Sequence, residues 1–246
     1  MIQVEQCLVK IIMKINFCPG FPNFIGVMML VCAMFFGFVF HSSASLSMPD
    51  SIAFRIMQDG DKLGRHIVTF RRINGDLHVD IAIDIEVKIL FIPVYSYRHR
   101  NHEVWRGGRL ISLKSETDDN GESHWVNVEA DDSSLKVDSF SGSFEAPLDT
   151  MPTSYWSQKS ISKSVLLDTQ HGKLVNVSIA QSVDDVLDTP LGTIAAKRFD
   201  VTGDLKLSLW YSESGAWAKT VFQIGGIKIE YFLDPKLLRA ADQRTD

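Results

Sequence analysis

The sequence predicts an all-β fold: one large, curved antiparallel sheet or open barrel of about 10–12 strands, running as a meander with one short inserted helix. Three observations lead there. Leu77, Val79, Ile81, Ile83, Ile85, Val87 and Ile89 alternate strictly with His78, Asp80, Ala82, Asp84, Glu86 and Lys88, the period of a half-buried strand. The same alternation returns in Leu205, Leu207, Leu209 and Tyr211, and in Ile227, Ile229, Tyr231 and Leu233. Between such runs stand Asp59-Gly60, Asn74-Gly75, Gly107-Gly108, Asn120-Gly121, Ser214-Gly215 and Gly225-Gly226, pairs that supply the positive φ of tight hairpins.

Strands are expected near 51–58, 63–73, 77–90, 93–106, 109–118, 123–130, 134–139, 174–183, 193–201, 204–211, 216–223 and 227–233. The 77–90 run far exceeds an ordinary strand, so it must bend with its sheet. The meander breaks between about 140 and 168, where Pro147 and Pro152 precede TSYWSQKSISKSVLL. Thr153 is placed to cap a short helix over 153–162, with Tyr155 and Trp156 in its first turn, lying in the sheet's concavity.

The first 44 residues read as a secretory leader. Lys10 and Lys14 precede an uncharged apolar run at 24–40, and the small residues Ser42 and Ala44 form an A-x-A-like site, so cleavage is expected near Ala44. An uncleaved anchor is the alternative, and Met13 is as good a start as Met1. The order of features implies a periplasmic protein, touching the membrane only through that leader if it stays.

What remains is one domain over 45–235 and a flexible tail over 236–246. Cys7, Cys18 and Cys32 all lie in the leader, so the domain carries neither disulfides nor a thiolate metal site. Its 23 basic and 29 acidic residues leave no surplus with which to grip nucleic acid. Charges of both signs are scattered, as on a solvated surface.

Several short motifs carry a resemblance. Thr189-Pro190-x-Gly192-Thr193, Trp210-Tyr211 ending a strand, Glu103-x-Trp105 and Gly108-x-Leu110 are similar to an uncharacterised family of exported bacterial β-sheet domains over roughly 50–235. That family is distantly similar to the periplasmic lipoprotein carriers, open β-barrels that cup an acyl chain. The resemblance implies the fold and brings no catalytic residues, because its motifs mark turns and core positions.

Candidate sites rest on residue chemistry. Tyr95, Tyr97, His99, Glu103 and Trp105 share one face of a strand, an aromatic wall with a polar end of the kind that lines small-molecule sites. Tyr155, Trp156, Trp210, Tyr211 and Trp217 are the other large aromatics suited to such a wall; they serve equally well as core, and Tyr95, Tyr97 and Trp105 also read as core or cross-strand partners. A metal site is not expected: His99 and His102 point to opposite faces, and Glu103 stands about 13 Å from His99 along the strand. His66, His78, His124 and His171 are expected to face water. No G-x-S-x-G elbow marks a nucleophile, and no cofactor motif is present.

The reading that follows is a non-enzymatic periplasmic protein holding an apolar or amphipathic, lipid-like molecule on the concave face. An envelope structural or interaction protein whose partner is another envelope protein is the first alternative, and a hydrolase with an unfamiliar site the second.

Overall fold

A computed structural model describes residues 49–238 except 181, 191 and 225. The expected leader, its cleavage near Ala44 and the tail beyond 238 lie outside the described residues. Residues 236–238 begin a helical turn.

Among the described residues the sequence's alternation is realised as one sheet of sixteen strands. In chain order these are β1 (Ser51–Gln58), β2 (Asp61–Ile73), β3 (Asp76–Ile89), β4 (Ile92–Arg106), β5 (Arg109–Asp119), β6 (Glu122–Ala130), β7 (Leu135–Ser139) and β8 (Gly142–Ala146). Then follow β9 (Met151–Pro152), β10 (Val165–Leu167), β11 (Leu174–Ile179), β12 (Val183–Thr189), β13 (Gly192–Gly203), β14 (Leu207–Ser212), β15 (Trp217–Ile224) and β16 (Ile227–Leu233). Hairpins link β1 to β8 and β13 to β16, as tight turns require. The first and last strands meet in the middle of the sheet, Phe54 opposite Leu233. The path ends at β8 and β9, which follow each other in the chain without pairing, so the barrel stays open.

Sixteen strands exceed the expected 10–12 because β8, β9 and β10 are too short for alternation to register. The run expected over 174–183 ends at Ile179 as β11, and β12, from Val183 to Thr189, lies, its first residue apart, where no strand was expected. β12 turns back to pair with β13, Thr189 opposite Gly192. One ladder, β9 with β10, is parallel.

The inward face of β3, Val79, Ile81, Ile83, Ile85 and Val87, belongs to one apolar core shared with β1, β2, β4 to β7 and β14 to β16. Its outward face carries ion pairs instead. Asp84 meets Arg65 at 3.0 Å and Arg100 at 2.5 Å, and Asp76 meets Arg106 at 2.7 Å. These pairs are half-exposed, so they set cross-strand register more than stability.

Residues 151–172 lie over the sheet's concave side. The helix expected over 153–162 shrinks to one 3-10 turn, Gln158–Ser162, capped by Ser157 rather than Thr153. The cause is local: a stretch rich in Ser and Thr offers its hydroxyls to nearby backbone, which favours turns over a continuous helix. Thr153 is buried, its Oγ1 accepting from the Thr169 N–H at 3.2 Å. A second, smaller core of Leu187, Ala196, Trp210 and Ala218 forms where the β12–β13 hairpin folds over the outer face. No helix among the described residues is long and apolar enough to cross a membrane, a statement that does not bear on β-barrels.

Candidate ligand-binding site

The interior is not uniformly apolar. Where β4, β5 and β6 lie side by side, the inward positions read Tyr97, His99, Asn101 and Glu103 on β4, Ser115, Thr117 and Asp119 on β5, and His124 on β6, all buried. β2 adds His66, in phase with the buried Val68 and Phe70. This polar seam is closed from the other side by the loop 168–172. Ser115 Oγ donates to the Thr169 carbonyl at 2.5 Å, and Tyr97 OH donates to Gln170 Oε1 at 3.2 Å.

Most members of the seam are satisfied. Glu103, wholly buried, accepts from Asn101 Nδ2 at 2.9 Å on one oxygen, and from the Trp105 and Trp156 indoles at 2.9 and 2.8 Å on the other. Burial pushes its carboxyl above the usual range, and the donors hold back part of that rise. Tyr95 OH donates to Asp119 at 2.8 Å, His99 Nδ1 is hydrogen-bonded with Thr117 Oγ1 at 2.8 Å, and His171 Nδ1 with Asp168 at 2.8 Å.

His66 is the exception of most interest. It is 4% exposed, boxed by Trp217, Tyr231 and Phe54 at ring distances of 5.1, 5.7 and 6.2 Å. Neither ring nitrogen meets a hydrogen-bond partner, and nor does Asn101 Oδ1. Burial drives the pKa of both His66 and His99 down to about 3, so both rings are neutral at pH 7. His66 and Asn101 line one cavity of about 30 Å³, together with Ile81, Ile83, Tyr97, His99, Thr153, Ser154, Tyr155, Thr169, Gln170, Trp217, Thr220 and Tyr231. Its walls thus combine aromatic and aliphatic side chains with polar groups from β2, β4, β15 and the covering segment, a composition suited to an amphipathic ligand.

The structure brings together most of the residues nominated from sequence. Tyr97, His99 and Tyr155 line the cavity. Tyr95, Glu103, Trp105 and Tyr211 are buried inside the barrel beyond its walls, and Trp156 reaches Glu103. Tyr211 OH donates to the Tyr155 carbonyl at 2.8 Å and so ties the sheet to the covering segment. Trp210 is not among them. It faces outward under the β12–β13 hairpin, its indole donating to Asp185 at 2.7 Å, because neighbouring strand residues point to opposite faces.

A second expectation also fails: His66, His124 and His171 are buried rather than solvated, and only His78 is half-exposed. The phase of alternation held the signal, since Val68 and Phe70 follow His66 by two and four residues, and Val126 and Val128 follow His124 by the same steps. His99 and His102 do point to opposite faces, His102 pairing outside with Asp80 at 2.7 Å. Among the described residues no group of three or more His, Cys, Asp or Glu is placed to hold a metal ion.

An open β-barrel with a covered, partly polar interior is therefore the class of protein that the fold and site define. The chain belongs to the family described as "Domain of unknown function (DUF6134)", whose profile matches residues 54–234. Among solved structures it is similar to a "Beta-barrel-like Protein of Domain of Unknown Function DUF1849 from Brucella abortus". The TM-score is 0.52 at 11% identity, over 75% of this chain and 94% of that one, a likeness of fold alone. No curated protein matches the chain.

Proposed function

We propose that this is a non-enzymatic periplasmic binding protein that holds a small amphipathic molecule inside its open barrel, between the sheet and residues 151–172. The observation that carries the reading is that the unpartnered His66 ring nitrogens and Asn101 Oδ1 line one and the same cavity, His66 from β2 and Asn101 from β4. Each buried polar group left without a partner costs about 1–3 kcal/mol. A ligand that offers a hydroxyl or carboxyl there, with its apolar body against Ile81, Ile83, Trp217 and Tyr231, recovers that cost.

The ligand does not enter the closed form. A cavity of about 30 Å³ admits one or two waters, so binding requires the segments around 153–155 and 168–172 to move off the sheet. That movement breaks the hydrogen bonds from Ser115, Tyr97, Ser139 and Tyr211 to the cover and from Gln170 to Asp119, bonds that contribute about 1 kcal/mol each and that binding must offset.

Thermal unfolding with decanoic acid and with geraniol as probes tests the reading. The expected result is a rise in Tm with at least one probe for the natural chain, saturating with concentration, and none for the Asn101→Leu/His66→Leu variant. Equal shifts in both proteins, or none in either, overturn it.

A further inference from the structure

The β3–β4 hairpin ends in an apolar knob that the fold does not use. The β2–β3 ladder stops at Gly64 opposite Ile85, and the β4–β5 ladder at Tyr97 opposite Asp119. From there β3 and β4 pair with each other, Ser96 alone still accepting from the Asn120 N–H; Val87 and Tyr95 remain buried, and beyond them the ribbon runs clear of the sheet for about two residues, roughly 7 Å. At the end Leu90, Phe91 and Ile92 are 86, 94 and 67% exposed.

The backbone of the turn is costly for these side chains. Leu90 and Phe91 hold φ of 48° and 73°, a conformation that bulky residues rarely adopt. Other hairpins of the same chain give that conformation to Asp59-Gly60, Asn74-Gly75 and Asn120-Gly121, the residues it suits. Here two large apolar groups sit in strained backbone and in water, and no contact within the fold repays either cost.

We propose that this tip is a membrane-contact element, in which Leu90, Phe91 and Ile92 enter the surface of an anionic phospholipid bilayer. The inference is independent of the interior site and of any leader. Successive residues of a ribbon point to opposite sides, so both sides of the tip are apolar. A groove on a protein covers one side of such a ribbon, whereas a bilayer interface surrounds it. The projection matches the 5–10 Å depth, in order of magnitude, at which interfacial elements bury their apolar face. Around the outer groove at the ribbon's foot Lys62, Arg65, Arg98 and Arg100 outnumber Asp84, Glu86 and Asp118 by one, and Lys62 and Arg98 form no ion pair among the described residues, so the surplus charge there is positive and can attract lipid phosphates.

The test compares the full chain, in the form that a bacterial host leaves it, with Leu90→Asn/Phe91→Gly, by flotation with vesicles of phosphatidylcholine alone and with phosphatidylglycerol added. Any N-terminal contribution is common to both proteins. The natural chain is expected to bind the anionic vesicles at least about tenfold better than the variant, and better than it binds phosphatidylcholine alone. The variant is expected to melt higher, because Asn-Gly relieves the turn. A Phe91→Trp variant gives a second readout: lipids brominated on their acyl chains quench the added fluorescence if the tip enters the bilayer. Equal flotation of natural chain and variant, absence of quenching at 91, or binding that appears only on native membranes and is lost when their proteins are digested, overturns the proposal, the last in favour of a protein partner.

Discussion

His66 and Glu103 show how differently the same interior treats two ionisable groups. Glu103 has three donors around it; His66 has aromatic rings. The consequence for stability follows from proton counting. His66 and His99 titrate near 3 in the folded chain and near 6.5 in the unfolded one, so between those values the unfolded state binds protons that the folded state refuses. Stability therefore falls as pH drops through that window, by up to about 1.4 kcal/mol per pH unit for each ring. Glu103, raised by burial, has the opposite sign: it favours the folded state at low pH, and its contribution is lost as pH rises through its folded value. Comparing the natural chain with His66→Leu isolates one ring. From pH 6.5 to 4.5 the variant should lose about 2–3 kcal/mol less in urea unfolding, and it should be the more stable protein at pH 7. These residues were legible in the sequence only through phase. His66 shares the face of Val68 and Phe70, but a histidine among Arg65, Arg71 and Arg72 reads as surface unless the alternation is followed through it.

Long strands declared themselves, and short or edge ones did not. The thirteen-residue alternation from Leu77 became β3, and the Gly-containing turns became hairpin ends. β9 and β10 have two and three residues, and their place is set by the covering segment, not by any pattern of their own. The Leu90-Phe91 turn could be read only from the gap between the strands expected over 77–90 and 93–106, since it lacks every turn residue while adopting a turn backbone. Gly64 marks another element-scale constraint that periodicity does not reveal. A Cβ there would stand 2.0 Å from the Asp84 carbonyl oxygen and 2.9 Å from Ile85 Cα, on the backbone of the neighbouring strand. Gly64→Ala should therefore spread the β2–β3 ladder at the foot of the ribbon and destabilise the protein by about 1–3 kcal/mol. Chemical unfolding of this variant beside Gly60→Ala checks the claim, since a Cβ at Gly60 meets nothing within 4 Å and the penalty there is limited to its backbone φ of 95°.

At the scale of the whole molecule, alternation and turns were enough to predict a large curved sheet that does not close. They also put a short segment over 153–162 into the concavity, but did not tell which strands it meets, because that depends on how residues 151–172 return across strands remote in sequence. The structure places Thr169 and Gln170 against β5 and β4, respectively 54 and 73 residues from Ser115 and Tyr97. The expected covering helix over 153–162 thereby becomes a longer, mostly non-helical cover over a small cavity, and the proposed ligand becomes one that must displace it. The most direct measurement is the mass of the protein, purified without detergent from the periplasmic fraction of a bacterial host, under native and then denaturing conditions. The account predicts a surplus mass in the native spectrum that disappears on denaturation and is absent from His66→Leu. Identical native and denatured masses for the natural chain, or a surplus that the variant retains unchanged, would contradict it.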